Sequence, residues 1–495
     1  MEKDSAYVKA SPVAGNGLFA KKDVPAGELL FAKERPLLAV LDSPNMDGNC
    51  AYCFSGSYAS MFDPANFELK ACTGCKITKY CSKKCQSRSW KHSHKFECPV
   101  LKDIGTERKL PNAVRALMQI LSRKIGGIMP DEEWSAVMNM ESHISSMKPE
   151  KLDSVRVLSH GALKFSKAEG RIDEKVAEEI FARILTNSLT LTSANLDPIG
   201  ICLDPLGCAA NHSCEPNAFV VFDGADMSFR ALKPVRKDEE IFISYIDNTN
   251  PFARRQAELQ DRFCFTCDCP KCQKRFSARE DQFKPSKSPE QISKERRLSA
   301  VQGQAFDDLE QARKLGDGSF WEPALARVTR GLALLSDSDM WPPTRQPYAA
   351  LRDELVVLYS ASQRFPMAWQ HMVRRYFDID PILYPEPHHP VRVIHNFMLS
   401  TQTLYMFTSH HMDELYDLFE FPPGFEIRQI VYGLLAEVFE NVASSHGPTS
   451  NFAKFVQSRM QFMRSEMPDR GKHWEETLPR QLELWKDFVY KQADR

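Results

Sequence analysis

Hydrophobic spacing alternates along the chain between strand-like and helical, in four successive stretches. Up to residue 49, short apolar runs at 28–31 and 36–41 sit between Gly/Pro turns, which predicts small β-structure. From about 108 to 192 the spacing becomes helical, with Val114, Leu117, Met118 and Leu121 in one stretch and Val176, Ile180 and Ile184 in another. Strand-like runs return between 193 and 247, at 218–222, 229–232 and 240–245. The charged, Ser/Pro-containing stretch 278–297 reads as a linker or exposed loop. Helical spacing then prevails over 303–314, 322–336, 347–363, 366–377, 391–407, 427–446 and 451–466. Antiparallel pairs of that size suit an α-solenoid such as tetratricopeptide repeats. No strict motif of that repeat recurs, so an irregular helical domain fits the pattern equally.

At 495 residues the chain is long enough for two or three domains. Its 64 Lys+Arg balance 65 Asp+Glu, a formal net charge of −1. That balance argues against a bulk electrostatic grip on nucleic acid or an anionic membrane. No apolar run reaches the roughly 18 residues of a membrane span, and residues 1–10 lack the apolar run of a signal peptide. Cysteines in short paired spacings then point to reduced, metal-bound thiols and to cytosol or nucleus.

Ten of the fourteen cysteines fall in two clusters. The first is Cys50-x2-Cys53, Cys72-x2-Cys75, Cys81-x3-Cys85 and His94-x3-Cys98, and the second is Cys267-x-Cys269-x2-Cys272. Seven cysteines and His94 supply eight ligands, enough for two tetrahedral zinc ions, either in tandem or interleaved. Such ions fix a fold that the local sequence could not stabilise by itself. The lysines and arginines within this first cluster, Lys83 and Lys84 among them, read as a solvated basic face more than as a phosphate grip.

The run Lys79-Tyr80-Cys81 to Gln86, with Trp90, His94 and Cys98 after it, closely resembles a MYND zinc finger. Three further motifs frame it: Gly15-Asn16-Gly17-Leu18-Phe19-Ala20, Asn211-His212-Ser213-Cys214-Glu215-Pro216-Asn217, and Glu239-Glu240 to Tyr245. In this order they resemble the SET domain of protein-lysine methyltransferases. The whole is similar to the SET and MYND domain-containing (SMYD) family over roughly residues 5–275, and more loosely beyond, around Tyr384-Pro385 to Arg392. The resemblance implies an interleaved finger, with Cys50, Cys53, Cys81 and Cys85 on one zinc and Cys72, Cys75, His94 and Cys98 on the other. His92 is also within reach, but His94 matches the family position better.

The resemblance also implies an α+β fold. A β-rich SET domain (1–49 and 187–249) is interrupted by the finger (50–98) and a helical insert (99–186). A zinc-bound post-SET segment (250–277), the linker (278–297) and an all-α, tetratricopeptide-like domain (298–495) follow. It implies S-adenosyl-L-methionine as cofactor and a lysine of a histone or non-histone protein as substrate. Gly15 and Gly17 would let the backbone approach the cofactor closely. Asn16 and Asn211 would offer amides to its amino-acid end, and His212 its backbone to the adenine. Asn187 and Glu141 match two further cofactor contacts. Tyr245 would stand beside the transferring methyl, polarising and orienting. Phe263 and Phe265 would wall the lysine channel and the adenine pocket.

Two positions depart from the family's pattern. Phe263 stands where relatives often have tyrosine, which suggests room for di- or trimethylation. Ala14 stands where several carry a basic residue, which would weaken the hold on the cofactor carboxylate.

Three cysteines at 267, 269 and 272 are one ligand short of a closed site. Cys214, inside the Asn211–Asn217 motif, completes a third zinc, while Cys202, Cys208 and Cys264 read as small buried residues. Three zinc ions are expected, with proline-rich peptides as partners of the finger, no direct DNA binding, no membrane and a monomer in cytoplasm and nucleus. The rival expectation is a non-catalytic adaptor or corepressor built on the finger and the helical domain.

Overall fold

The structure, a computed structural model, describes residues 5–56, 68–105, 108–284, 289–337, 340–408, 420–465 and 471–493. The chain divides into two compact units. One comprises residues 1–246, 256–267 and 450–452; the other comprises 247–255, 268–449 and 453–495.

The first unit begins with a hairpin of β1 (Ala6–Ala10) and β2 (Asn16–Ala20), with Ala6 opposite Ala20 and Ala10 opposite Asn16. Gly15 closes the turn at φ +50, a region glycine enters without a Cβ penalty. β3 (Leu29–Lys33) forms an antiparallel sheet with β11 (Asp226–Ala231) and β10 (Ala218–Asp223). β4 (Leu38–Leu41) pairs with β8 (Pro198–Leu203), which pairs with β7 (Leu189–Thr192). The inward faces of these small sheets share one core, in which Leu18, Leu30, Phe31, Phe222, Phe229 and Ile241 are buried. Phe31 and Phe229 meet at 5.6 Å, and each such ring contributes about 1.5–3 kcal/mol by leaving water.

The strand-like stretch 240–245 yields only β12 (Phe242–Ile243), because its partner is equally short. β12 lies parallel to β9 (Asn211–His212), with Phe242 opposite Asn211 and Ile243 opposite His212. That pairing sets two of the sequence motifs side by side.

The finger is inserted after β4. It contains β5 (Lys70–Ala71), β6 (Lys79–Tyr80), α1 (Lys83–Ser89) and α2 (Lys95–Ile104). Ser82 starts α1 by accepting from the Cys85 amide at 3.2 Å. The helical insert follows as α3 (Asn112–Ile125), α4 (Asp131–Met138), α5 (Pro149–Ser166) and α6 (Glu174–Asn187). Val114, Leu117, Met118 and Leu121 are all buried. Helix ends at Asn187 rather than 192: Leu-Thr-Leu-Thr alternates in β7 with only Leu191 fully buried, and β-branched threonine favours the strand.

α7 (Phe252–Phe263) leads to a single turn at Pro270–Gln273. The second unit continues as α8 (Pro289–Asp317), α9 (Trp321–Ser336), α10 (Tyr348–Ala361), α11 (Phe365–Arg374), α12 (Pro390–Thr408), α13 (Ile427–His446), α14 (Asn451–Ser465) and α15 (Gly471–Ala493). From α8 to α13 each helix packs on the next in chain order, as in a solenoid. Within the stretch read as linker, 285–288 lie outside the described residues, but helix already begins at Pro289, where proline suits a first turn. No described helix is long and apolar enough to cross a membrane.

Candidate active site and zinc centres

The parallel pairing of β9 with β12 places His212 beside Tyr245. Nδ1 of His212 accepts from the Tyr245 amide at 3.0 Å, so its proton resides on Nε2, which points to Cys214 Sγ at 3.2 Å. The Tyr245 hydroxyl donates to the Ala210 carbonyl at 2.7 Å. Burial pushes this phenol well above its ordinary pKa, and the Cys208 and Glu240 side chains push the same way. Tyr245 is therefore neutral throughout the physiological range.

Two aromatic rings complete the cluster. Phe263 lies 4.9 Å from Tyr245, and Phe265 lies 6.0 Å from His212. Cys264, between them, is left-handed at φ +61, a strained choice for a residue with a Cβ. The helical insert secures this segment from outside. Lys151 Nζ donates to the last carbonyls of α7, Asp261 at 3.0 Å and Arg262 at 3.2 Å, while Lys148 pairs with Asp261 at 2.6 Å. No local sequence pattern marks Lys151, because its partners lie 110 and 111 residues away.

The Gly15–Gly17 turn is joined to the same place by Asn211, whose Nδ2 donates to the carbonyls of Ala14 (3.2 Å) and Asn16 (3.1 Å) and to Glu240 Oε1 (2.7 Å). At Gly17 a Cβ would overlap the Glu240 carboxylate, so the missing side chain makes room for Glu240. At Gly15 the corresponding space is open. Asn187 gives its amide to the carbonyls of Glu141 (2.7 Å) and Arg183 (2.8 Å), and so ties the Glu141 loop to the end of α6. The Glu141 carboxylate is two-thirds exposed and accepts from the Ser142 and His143 amides, which lowers its pKa. The structure thus gathers Asn16, Asn211, His212, Tyr245, Phe263 and Phe265. It shows Glu141 and Asn187 engaged with each other.

Three groups of ligand atoms each lie within 4.8 Å of one another: Cys50, Cys53, Cys81 and Cys85; Cys72, Cys75, His94 and Cys98; and Cys214, Cys267, Cys269 and Cys272. A tetrahedral zinc with bonds of about 2.3 Å holds its sulfurs about 3.8 Å apart. In the first group Cys81 stands 3.6 Å from both Cys53 and Cys85. In the second, Cys72 and Cys98 are 3.9 Å apart, and His94 Nε2 faces Cys72 at 3.3 Å and Cys75 at 3.7 Å. Both sets fit zinc, with the finger's two centres interleaved.

The other nitrogen of His94 faces Glu97 at 3.7 Å. Burial works to raise that carboxyl, but Arg115, at 2.6 Å, and His94 outweigh it and hold it at about 2. His92 stands outside the group, with burial pushing it down to about 3. Near the third group, Gln256 brackets the Cys267 backbone with hydrogen bonds of 2.8 and 2.9 Å. Of the remaining cysteines Cys202 is buried, while Cys208 and Cys264 are only half-buried.

A model of the SET domain matches residues 15–246. The chain is 31% identical over 270 residues to "Histone-lysine N-methyltransferase SMYD3" of Homo sapiens, covering 53% of this chain and 60% of the relative. It is 33% identical over 269 residues to "N-lysine methyltransferase SMYD2" of Homo sapiens, covering 53% and 59%. To "SET domain and MYND-type zinc finger protein 6" of Schizosaccharomyces pombe it is 28% identical over 271 residues, covering 54% and 52%. The matches thus span between half and three-fifths of these curated relatives. With a SET-domain match over residues 15–246 and an interleaved two-centre cysteine cluster inside it, the chain is similar to the SET and MYND domain-containing (SMYD) family over about half of its length.

Proposed function

We propose that the protein is an S-adenosyl-L-methionine-dependent protein-lysine N-methyltransferase with three zinc ions. The observation that carries this reading is the neutral Tyr245 hydroxyl, walled by Phe263 and backed by His212. Bound S-adenosylmethionine supplies an activated methyl on a cationic sulfur. Every other requirement is one of placement: a deprotonated lysine amine, excluded water and a straight line of attack.

The aromatic faces of Phe263 and Tyr245 suit the apolar stem of a lysine and favour its neutral amine by desolvation. With its proton committed to the Ala210 carbonyl, the Tyr245 oxygen offers lone pairs to the amine's N–H or to the polarised methyl. Its raised pKa makes it an orienting group and not a general base. Asn211 and the Asn16 turn serve the amino-acid end of the cofactor, and Phe265 lies where an adenine would stack. Asn187 and Glu141 serve as a braced edge, with Glu141 Oε2 turned to solvent or a ribose.

The substrate is a lysine in a histone or another protein. The finger takes proline-rich peptides, direct DNA binding is not expected of a chain with net charge −1, and the protein acts as a monomer in cytoplasm and nucleus. The domain limits are those read above, with the helical domain opening at Pro289. The test is incubation with labelled S-adenosylmethionine and a protein or peptide library, wild type beside Tyr245→Phe. Label that depends on Tyr245 is expected; no such label on any substrate would overturn the reading in favour of an adaptor.

A further inference from the structure

Glu240 is a buried carboxylate, only 6% exposed, yet no cation pairs with it among the described residues. Its side chain accepts from two neutral donors, Asn211 Nδ2 at 2.7 Å and Ser11 Oγ at 2.9 Å. An ionised carboxylate out of water costs several kcal/mol unless it is compensated. Two neutral hydrogen bonds compensate in part. The remainder calls for a positive charge that the polypeptide does not supply.

The surroundings show where that charge would arrive. Ser11 accepts from the Val13 amide, and its own amide donates to the Gly15 carbonyl, so Glu240 braces both ends of the turn that carries Gly15–Gly17. Asn211 is fixed by the same carboxylate. All three of its Nδ2 partners are acceptors, so the orientation of the amide is unambiguous. Its Oδ1 is the one polar atom of that side chain left to accept from an incoming donor.

We propose that Glu240 is the counter-charge of the cofactor site: it fixes Asn211 Oδ1 towards the ligand's ammonium and favours the cationic methionyl end of S-adenosylmethionine over the uncharged thioether of S-adenosylhomocysteine. This rests on the methyltransferase reading. Glu240 acts through Asn211 and through its field, and is a positioning residue. No sequence pattern isolates it, since a Glu-Glu pair at a strand start reads as a solvated turn.

Calorimetry of S-adenosylmethionine and S-adenosylhomocysteine on wild type and Glu240→Gln tests the proposal, with zinc content and melting temperature measured alongside. Glutamine keeps the shape and can still accept from Asn211, but removes the charge. S-adenosylmethionine affinity should fall about tenfold, and S-adenosylhomocysteine affinity by clearly less. Gly17→Ala, which displaces the carboxylate and keeps its charge, should weaken both ligands alike. Unchanged S-adenosylmethionine binding by Glu240→Gln, or an equal loss for both ligands, overturns the proposal. Failure of the wild type to bind either ligand overturns the methyltransferase reading itself.

Discussion

The Phe263 ring centre lies 4.9 Å from that of Tyr245, tilted to it, with the Arg262 guanidinium 5.0 Å from the Phe263 ring centre. If the protein methylates lysine as proposed, a hydroxyl added there would narrow the proposed lysine channel. On that reading Phe263→Tyr is expected to shift any di- or trimethylation towards monomethylation, read by mass spectrometry of one peptide under matched turnover. An unchanged distribution would remove Phe263 as the determinant of product. At this scale the sequence was readable where a residue belongs to a local string: Asn211, His212 and Tyr245 stand in motifs, and the structure gathers them. It was unreadable where the partner is distant. The Glu240–Ser11 bond spans 229 residues, and Gly17 reads as a ligand-facing glycine until the carboxylate behind it is seen.

Among the elements, α11 shows how burial makes a helix sensitive to pH. His371 stacks on Tyr359 at 5.8 Å and accepts from Arg352 at 3.1 Å. Burial, followed by the charges of Arg352 and Arg374, pushes His371 down to about 3. A base whose folded pKa lies below its unfolded value of about 6.5 binds its proton more readily when unfolded. The stability it contributes is full above pH 6.5 and is lost as the pH falls towards 3. Between pH 7 and 5 the loss should be on the order of 1–2 kcal/mol. In urea unfolding, His371→Gln, which can still accept from Arg352, should show a smaller drop between those two pH values than wild type. Equal drops would mean that His371 does not carry the effect.

Helix periodicity gave this element and its neighbours nearly to their ends, because their buried faces follow the 3.6-residue period. It stopped short of α15, where Pro479 interrupts the pattern although Trp485 is fully buried 6.2 Å from Trp369. It also ran past Asn187 into β7, since leucine fits either period.

For the molecule as a whole, three metal centres are expected to differ in what they support. The two in the finger bind only finger residues, and their buried link to the SET sheet runs from His94 through Glu97 to Arg115, which donates to the Leu41 carbonyl at 3.0 Å. The third includes Cys214, whose sulfur accepts from His212 Nε2, and His212 Nδ1 in turn holds the Tyr245 amide. A thiolate fixed by zinc would thus orient the imidazole that holds Tyr245, the tyrosine proposed as catalytic. Cys267→Ser should lower the zinc content from three per chain to two and reduce turnover by about a hundredfold. Cys81→Ser should also leave two zinc ions but cost less than about tenfold, at the two ends of what disturbed metal shells usually cost. Metal analysis and turnover on the same preparations decide it. Three zinc ions retained in Cys267→Ser, or equal losses of activity in the two variants, would show that the third centre has no special hold on Tyr245.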